Sequence, residues 1–142
     1  MKTMVRNVLA VLVGLLLGGL VNMTIITIGP QVIPPPPGVD TTTTEGLKAS
    51  MHLLQPKHYI FPFLAHAVGT LVGAVLAYLI AGSKRSAFAH VIGAVSLAGG
   101  IAATFMFSAP TWFVVLDLGV AYIPMARLGI FIGQRITRGA KT

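Results

Sequence analysis

Asp117 is the one acidic residue inside a long apolar run of this chain, and His66 lies inside another. A carboxylate at the centre of a membrane helix costs about 2.5–3.5 kcal/mol on insertion scales, so it calls for a partner or a use. An imidazole supplies either. Protonated, it pairs with the carboxylate; neutral, it donates one ring N–H and keeps the other nitrogen free. Asn22, Thr70 and Thr104 are the polar side chains that could complete the set. Two readings follow. His66, Asp117, Asn22, Thr70 and Thr104 form a pocket that binds or passes a proton, an ion or a small polar solute, or they form a hydrogen-bond cluster that only locks helices together.

Other chemistries find less support. Glu45, His52, His58, His66 and Asp117 all fall toward one side, with Met23, Met51 and Met106 at nearby depths. Imidazole with carboxylate suits zinc or iron, and imidazole with thioether suits copper. The candidate metal ligands His52, His58, His66 and Asp117 match no compact ligand spacing, so the metal stays unknown. Hydrolysis would pair His66 and Asp117 with Ser108 or Thr104, but no nucleophile elbow, phosphate-cradling glycine loop or zincin signature accompanies them. With no cysteine, disulfides, thiolate zinc sites and cysteine-ligated iron-sulfur clusters are excluded. No haem is expected either, because His66 and His90 fall at opposite levels. Tyr78, His90 and Arg127 make a second, weaker polar level, from which Arg127 can snorkel to the nearer boundary.

The elements that would position these groups are long and apolar. Of 142 residues, 55% are hydrophobic and 9% charged, against about a quarter charged in a soluble domain. A helix needs about 20 apolar residues to cross the hydrocarbon. Four runs qualify, about 8–28, 59–81, 87–107 and 112–133. The expected fold is an all-α integral membrane four-helix bundle, a single transmembrane domain over 1–142. The first run is too long for a secretory signal and lacks its cleavage pattern, so it reads as a retained anchor. Lys2, Arg6, Lys84, Arg85, Arg135, Arg138 and Lys141 fall on one side of the spans, and only Lys48 and Lys57 on the other. Positive residues are retained inside, which makes both termini cytoplasmic. The basic balance is then a topology signal, and nucleic-acid binding is not expected. Tyr59, Phe61, Phe63, Tyr78 and Trp112 mark span ends.

Residues 29–58 form the one long connection, an outer loop opened by Pro30 and the run Pro34 to Pro37. Within it, 45–55 reads as a short interfacial helix capped by Thr43 or Thr44, with Leu47, Met51 and Leu54 on its apolar face. Glu45, His52 and His58 make it a possible lid over the site. Short turns at 82–86 and 108–111 make neighbouring spans antiparallel, and Pro124 should kink the fourth span.

In lipid, helices associate through small residues and interhelical hydrogen bonds. Gly14, Gly18 and Asn22 share a face of the first span, and His66, Gly69, Thr70, Gly73 and Ala77 one of the second. Ser96, Gly100, Thr104 and Ser108 form a row on the third, and Gly129 and Gly133 one on the fourth. At 1.5 Å per residue from the outer ends, Asn22, His66, Asp117 and Thr104 lie about 5–10 Å deep, close to one level.

The chain therefore reads as a multi-pass protein of the cell membrane, of bacterial inner-membrane type. Its partners are the bilayer and either a second copy or another membrane protein. The alternatives to a binding or transport role are an accessory or assembly subunit with a structural polar cluster, and a membrane-embedded metal protein or enzyme. In size and four-span plan it is similar to small multidrug transporters and fluoride channels. The first span lacks the acidic residue of the former family, and no residues carry over from either.

Overall fold

The computed structural model describes residues 2–139. Lys141, part of the charge count above, lies outside the described residues. Six α-helices follow one another: α1 (Lys2–Val32), α2 (Thr44–Ser50), α3 (Ile60–Ile80), α4 (Arg85–Met106), α5 (Thr111–Val120) and α6 (Ile123–Gly139). No strand occurs among the described residues. Four helical segments are long and apolar enough to cross a membrane, with α5 and α6 together making the fourth.

α3 is the hub, packed against α1, α4 and α6. Close packing along α1 comes from glycines facing glycines. A Cβ on Gly18 would stand 2.6 Å from the Gly69 carbonyl oxygen, and one on Gly73 would stand 2.7 Å from the Gly14 oxygen. No side chain fits there, so the two backbones touch, the approach that small residues permit in membrane bundles. The interior is correspondingly small: Ala10, Ala74, Ala77, Ala81, Ala89 and Ala126 are fully buried, and Ile92 is the largest side chain to be so. The large apolar side chains point outward, with Leu16, Val115 and Phe105 well exposed. This inverts the usual arrangement of a water-soluble domain.

α1 runs past the expected end at 28, through Pro30, to Val32. Gly29 packs on the Phe61 ring and its carbonyl accepts from Ile33 N–H at 2.9 Å, which holds the last turn. The loop therefore begins about four residues later than its sequence suggests. At the opposite end, Arg6 Nε donates to the Ile80 carbonyl at 3.1 Å, and the Asn7 side chain accepts from the backbone N–H of Gly82 and Ser83. The start of α1 thus satisfies groups that the end of α3 leaves open. The start of α1, the end of α6 and the 81–84 turn share this end; the long loop and the α4–α5 turn share the other.

The loop helix is shorter than the expected 45–55. α2 ends at Ser50, whose hydroxyl donates to Gly46 carbonyl at 2.7 Å and accepts from Asp40 N–H at 3.2 Å. A 3₁₀ turn at Met51–Leu53 continues it and a second covers Pro56–Tyr59. Thr43 is the N-cap, accepting from Gly46 N–H at 3.0 Å. The apolar stripe survives the break: Leu47, Met51 and Leu54 pack on Tyr59, Phe113 and Phe107.

The fourth span breaks where a kink is expected. Pro124 has no N–H to give the Val120 carbonyl and its ring would clash with it. α5 stops at Val120, and α6 restarts at Ile123 with Ala126 N–H on the Tyr122 carbonyl at 2.8 Å. Tyr122 sits in the break.

Candidate functional site

α3 presents His66 and α5 presents Asp117, and the two side chains meet. His66 Nδ1 lies 2.9 Å from both carboxylate oxygens of Asp117. A carboxylate only accepts, so with Asp117 ionised Nδ1 carries the proton and Nε2 is left without a partner in the protein. Asp117 is buried at 4% exposure. It takes a second hydrogen bond from Tyr122, whose hydroxyl donates to Oδ2 at 2.9 Å. The Tyr122 ring is itself buried, stacked on the His66 ring with centroids 5.7 Å apart. Gly100 makes room for it, since any Cβ there would collide with the phenol ring. Two donors on one carboxylate compensate the burial of its charge.

Tyr122 does not emerge from helical spacing. On a continuous helix it would lie about 140° around the axis from Asp117, at about 100° per residue. The break beside Pro124 lets the chain turn and bring its hydroxyl back. The signal available in the sequence was the pairing of a helix-breaking proline with a tyrosine two residues before it.

His66 lines a cavity of about 280 Å³ between α1, α3 and α4. Gly14, Gly18, Gly19 and Asn22 form the α1 wall, and Val95, Ser96, Gly99, Gly100 and Ala103 are on α4. Gly69 and Thr70 of α3 and Tyr122 complete the polar side. The α1–α4 edge is open: a Cβ added to Gly19 or Gly99 would meet no atom within 4 Å. Asn22, Thr70 and Ser96 line this cavity, and their side chains make no hydrogen bond among the described residues. Thr70 is only 3% exposed. The polar atoms of these three keep accessible surface, since among the described residues the one buried side-chain nitrogen or oxygen without a partner is the Tyr59 hydroxyl.

The other candidates stand elsewhere. Thr104 does not line the cavity, and its hydroxyl donates to the Ile101 carbonyl at 2.7 Å. Ser96, one helical turn beyond Gly100 in the same row, is the α4 hydroxyl that does. Ser108 is exposed at the end of α4, outside the cavity lining. His58 serves the loop: Nε2 lies 3.1 Å from the Pro34 carbonyl and Nδ1 accepts from Gln55 N–H at 3.0 Å. Glu45 and His52 are exposed on α2 and its following turn, and that segment covers the Tyr59, Phe113 and Phe107 cluster, with no residue of it in the cavity wall. No three His, Asp or Glu side chains stand together as a metal set among the described residues, so His52, His58, His66 and Asp117 are not gathered. Met23, Met51 and Met106 contribute nothing to the cavity wall.

Tyr78, His90 and Arg127 are not brought together either. Tyr78 packs on Gly133 and under the Arg85 guanidinium, His90 Nδ1 lies 2.9 Å from the Ser86 carbonyl on its own helix, and Arg127 is exposed.

Comparison of the chain with protein-family models, with curated proteins and with solved structures finds no match.

Proposed function

We propose that the chain is a multi-pass membrane protein that takes up a proton or a small polar solute in the cleft between α1, α3 and α4, with His66 as the group that meets it. The supporting observation is the combination of a spent and an unspent side on one imidazole. Nδ1 is fixed by Asp117, while Nε2 has no partner in the protein and His66 lines a cavity shared with three polar side chains that have none either. An arrangement that served packing alone would use those hydrogen bonds internally, as Asp117 and Tyr122 do.

The cleft does work on a proton through the same geometry. Asp117 holds one tautomer, so a proton arriving at Nε2 makes an imidazolium already paired with a carboxylate. A neutral solute instead donates to Nε2 and accepts from the amide or hydroxyls around it. The charge distribution supports cytoplasmic termini. Lys2, Arg6, Lys84 and Arg85 cluster at the terminal end with Arg135 and Arg138, against Lys48 and Lys57 at the loop end. On that orientation the cleft lies toward the outer half of the bilayer of a cell membrane.

The test is ¹⁵N-histidine NMR of the protein in lipid nanodiscs. The His66 Nε2 resonance is expected to move when a proton or added glycerol reaches it. In Asp117→Asn the single-tautomer signal should give way to a mixture. A His66 signal indifferent to pH and to every added solute would overturn the proposal.

A further inference from the structure

The cleft's opening says how its occupant arrives, and its polar inventory says what head that occupant carries. We infer that the ligand is an uncharged amphiphile, a hydroxyl head on an apolar tail, that enters sideways from the bilayer between α1 and α4. This deepens the preceding proposal and rests on it for the role of His66.

The opening is lateral and deep. Gly19 stands about 20 Å along the helix axis from Val32 and about 25 Å from Lys2, and Gly99 about 10 Å from Met106. Both line the cavity, both are exposed, and both have open space where a side chain would be. Glycine inside a helix is disfavoured relative to alanine. At Gly14, Gly18, Gly69 and Gly73 that cost is offset by backbone contact. At Gly19 and Gly99 no such contact offsets it, and of the glycines with open space around them these two line the cavity. A gap at that depth on a lipid-facing flank admits molecules dissolved in the hydrocarbon.

The inner wall points to the head. Thr70 is the second, independent observation: a residue 3% exposed, on the wall of the cavity, whose hydroxyl has no hydrogen-bond partner and still keeps accessible surface. With Asp117 holding Nδ1–H, neutral His66 offers a lone pair at Nε2 and so asks for a donor. Thr70, Ser96 and Asn22 can each donate to an oxygen. A hydroxyl satisfies both demands at once. No Lys, Arg, Asp or Glu lines the cavity, and the Asp117 carboxylate is already occupied by His66 and Tyr122. With His66 neutral, a charged head would find no counter-ion. The remainder of the wall, Leu15, Ile92, Val95 and Ala103 with the glycines, is apolar and suits a tail.

The experiment follows the His66 Nε2 resonance in nanodiscs titrated with decanol, with decane, decanoate and glycerol as comparison probes. Decanol is expected to move the signal saturably and decane or decanoate not to. Thr70→Val, isosteric and without the hydroxyl, should weaken the decanol response about tenfold, the equivalent of one hydrogen bond. Gly99→Leu should block it while the protein folds normally, because nothing occupies that space. If glycerol acts as strongly as decanol, or if decanol binding is unaffected by Gly99→Leu, the amphiphile inference fails and the polar-solute reading stands. If the signal is indifferent to pH and to all four probes, both fail.

Discussion

Two faces of α1 use glycine in opposite ways. Toward α3, Gly14 and Gly18 bring the chain against the Gly73 and Gly69 carbonyls so closely that no other residue fits. Toward α4, Gly19 lines a cleft with Gly99, and a Cβ on either would meet no atom within 4 Å. The first face has used its contacts and the second has kept them open. Polar groups divide in the same way. Asp117, behind the cleft, and Tyr122, in its wall, are satisfied by each other and by His66, whereas Asn22, Thr70 and Ser96, which also line it, are not. A small-residue pattern therefore says where helices can approach, and only the neighbour across the gap says whether they do.

The sharpest break in this comparison comes from Asp117→Leu. It leaves two donors, His66 Nδ1–H and the Tyr122 hydroxyl, without their acceptor and should cost about 1–3 kcal/mol for each. Reversible unfolding in mixed micelles would register it. Gly18→Leu comes next. Its side chain must displace the Gly69 carbonyl, and the loss should be about 3 kcal/mol, at the upper end of overpacking. Tyr122→Phe removes one hydrogen bond to the carboxylate and should cost about 1.5–3 kcal/mol in the same assay. Gly19→Ala and Gly99→Ala should go the other way, each raising stability by up to about 1 kcal/mol through helix propensity alone. A loss of stability at either would show that the cleft is packed and that the comparison is false.

The smallest effect lies outside the bundle, in the loop. Asp40 accepts from the Thr42 hydroxyl at 2.6 Å and the Thr42 N–H at 2.8 Å, and the hydroxyl above all holds its carboxyl below the usual carboxylate value. A lowered folded value means that the stabilisation is present above the ordinary carboxylate range and is lost as pH falls through the folded value. Hydrogen exchange at Gly46, the amide capped by Thr43, should quicken in acid below the ordinary range near 3.8, while amides of α3 stay protected.

Much of the bundle was legible because hydrocarbon imposes length and composition directly. Runs of the required length and short turns marked the four long apolar helices, and glycine rows marked the faces on which helices could approach, though not that the α1 row meets the α3 row. The meeting of His66 with Asp117 was legible too, since a lone acid in an apolar run needs a partner and depth limited the choices. What escaped notice lay where the helix stops being regular. Tyr122 depends on the break before Pro124, and helical spacing places it on the wrong side. Thr104 and Ser96 stand in one i, i+4 row, and nothing in that row tells which hydroxyl turns to its own backbone. The early end of α2 reflects the Ser50 hydroxyl taking the Gly46 carbonyl, a local competition that apolar periodicity does not register.

The most direct test is the stability of the ligand-free protein carrying Thr70→Val together with Ser96→Ala. If these hydroxyls are held in reserve for an occupant, removing them relieves unmet polar groups, and the variant should unfold no more easily than the parent, or less easily. If it unfolds more easily, by an amount resembling Tyr122→Phe, the hydroxyls already serve the fold and the cleft is not a binding site.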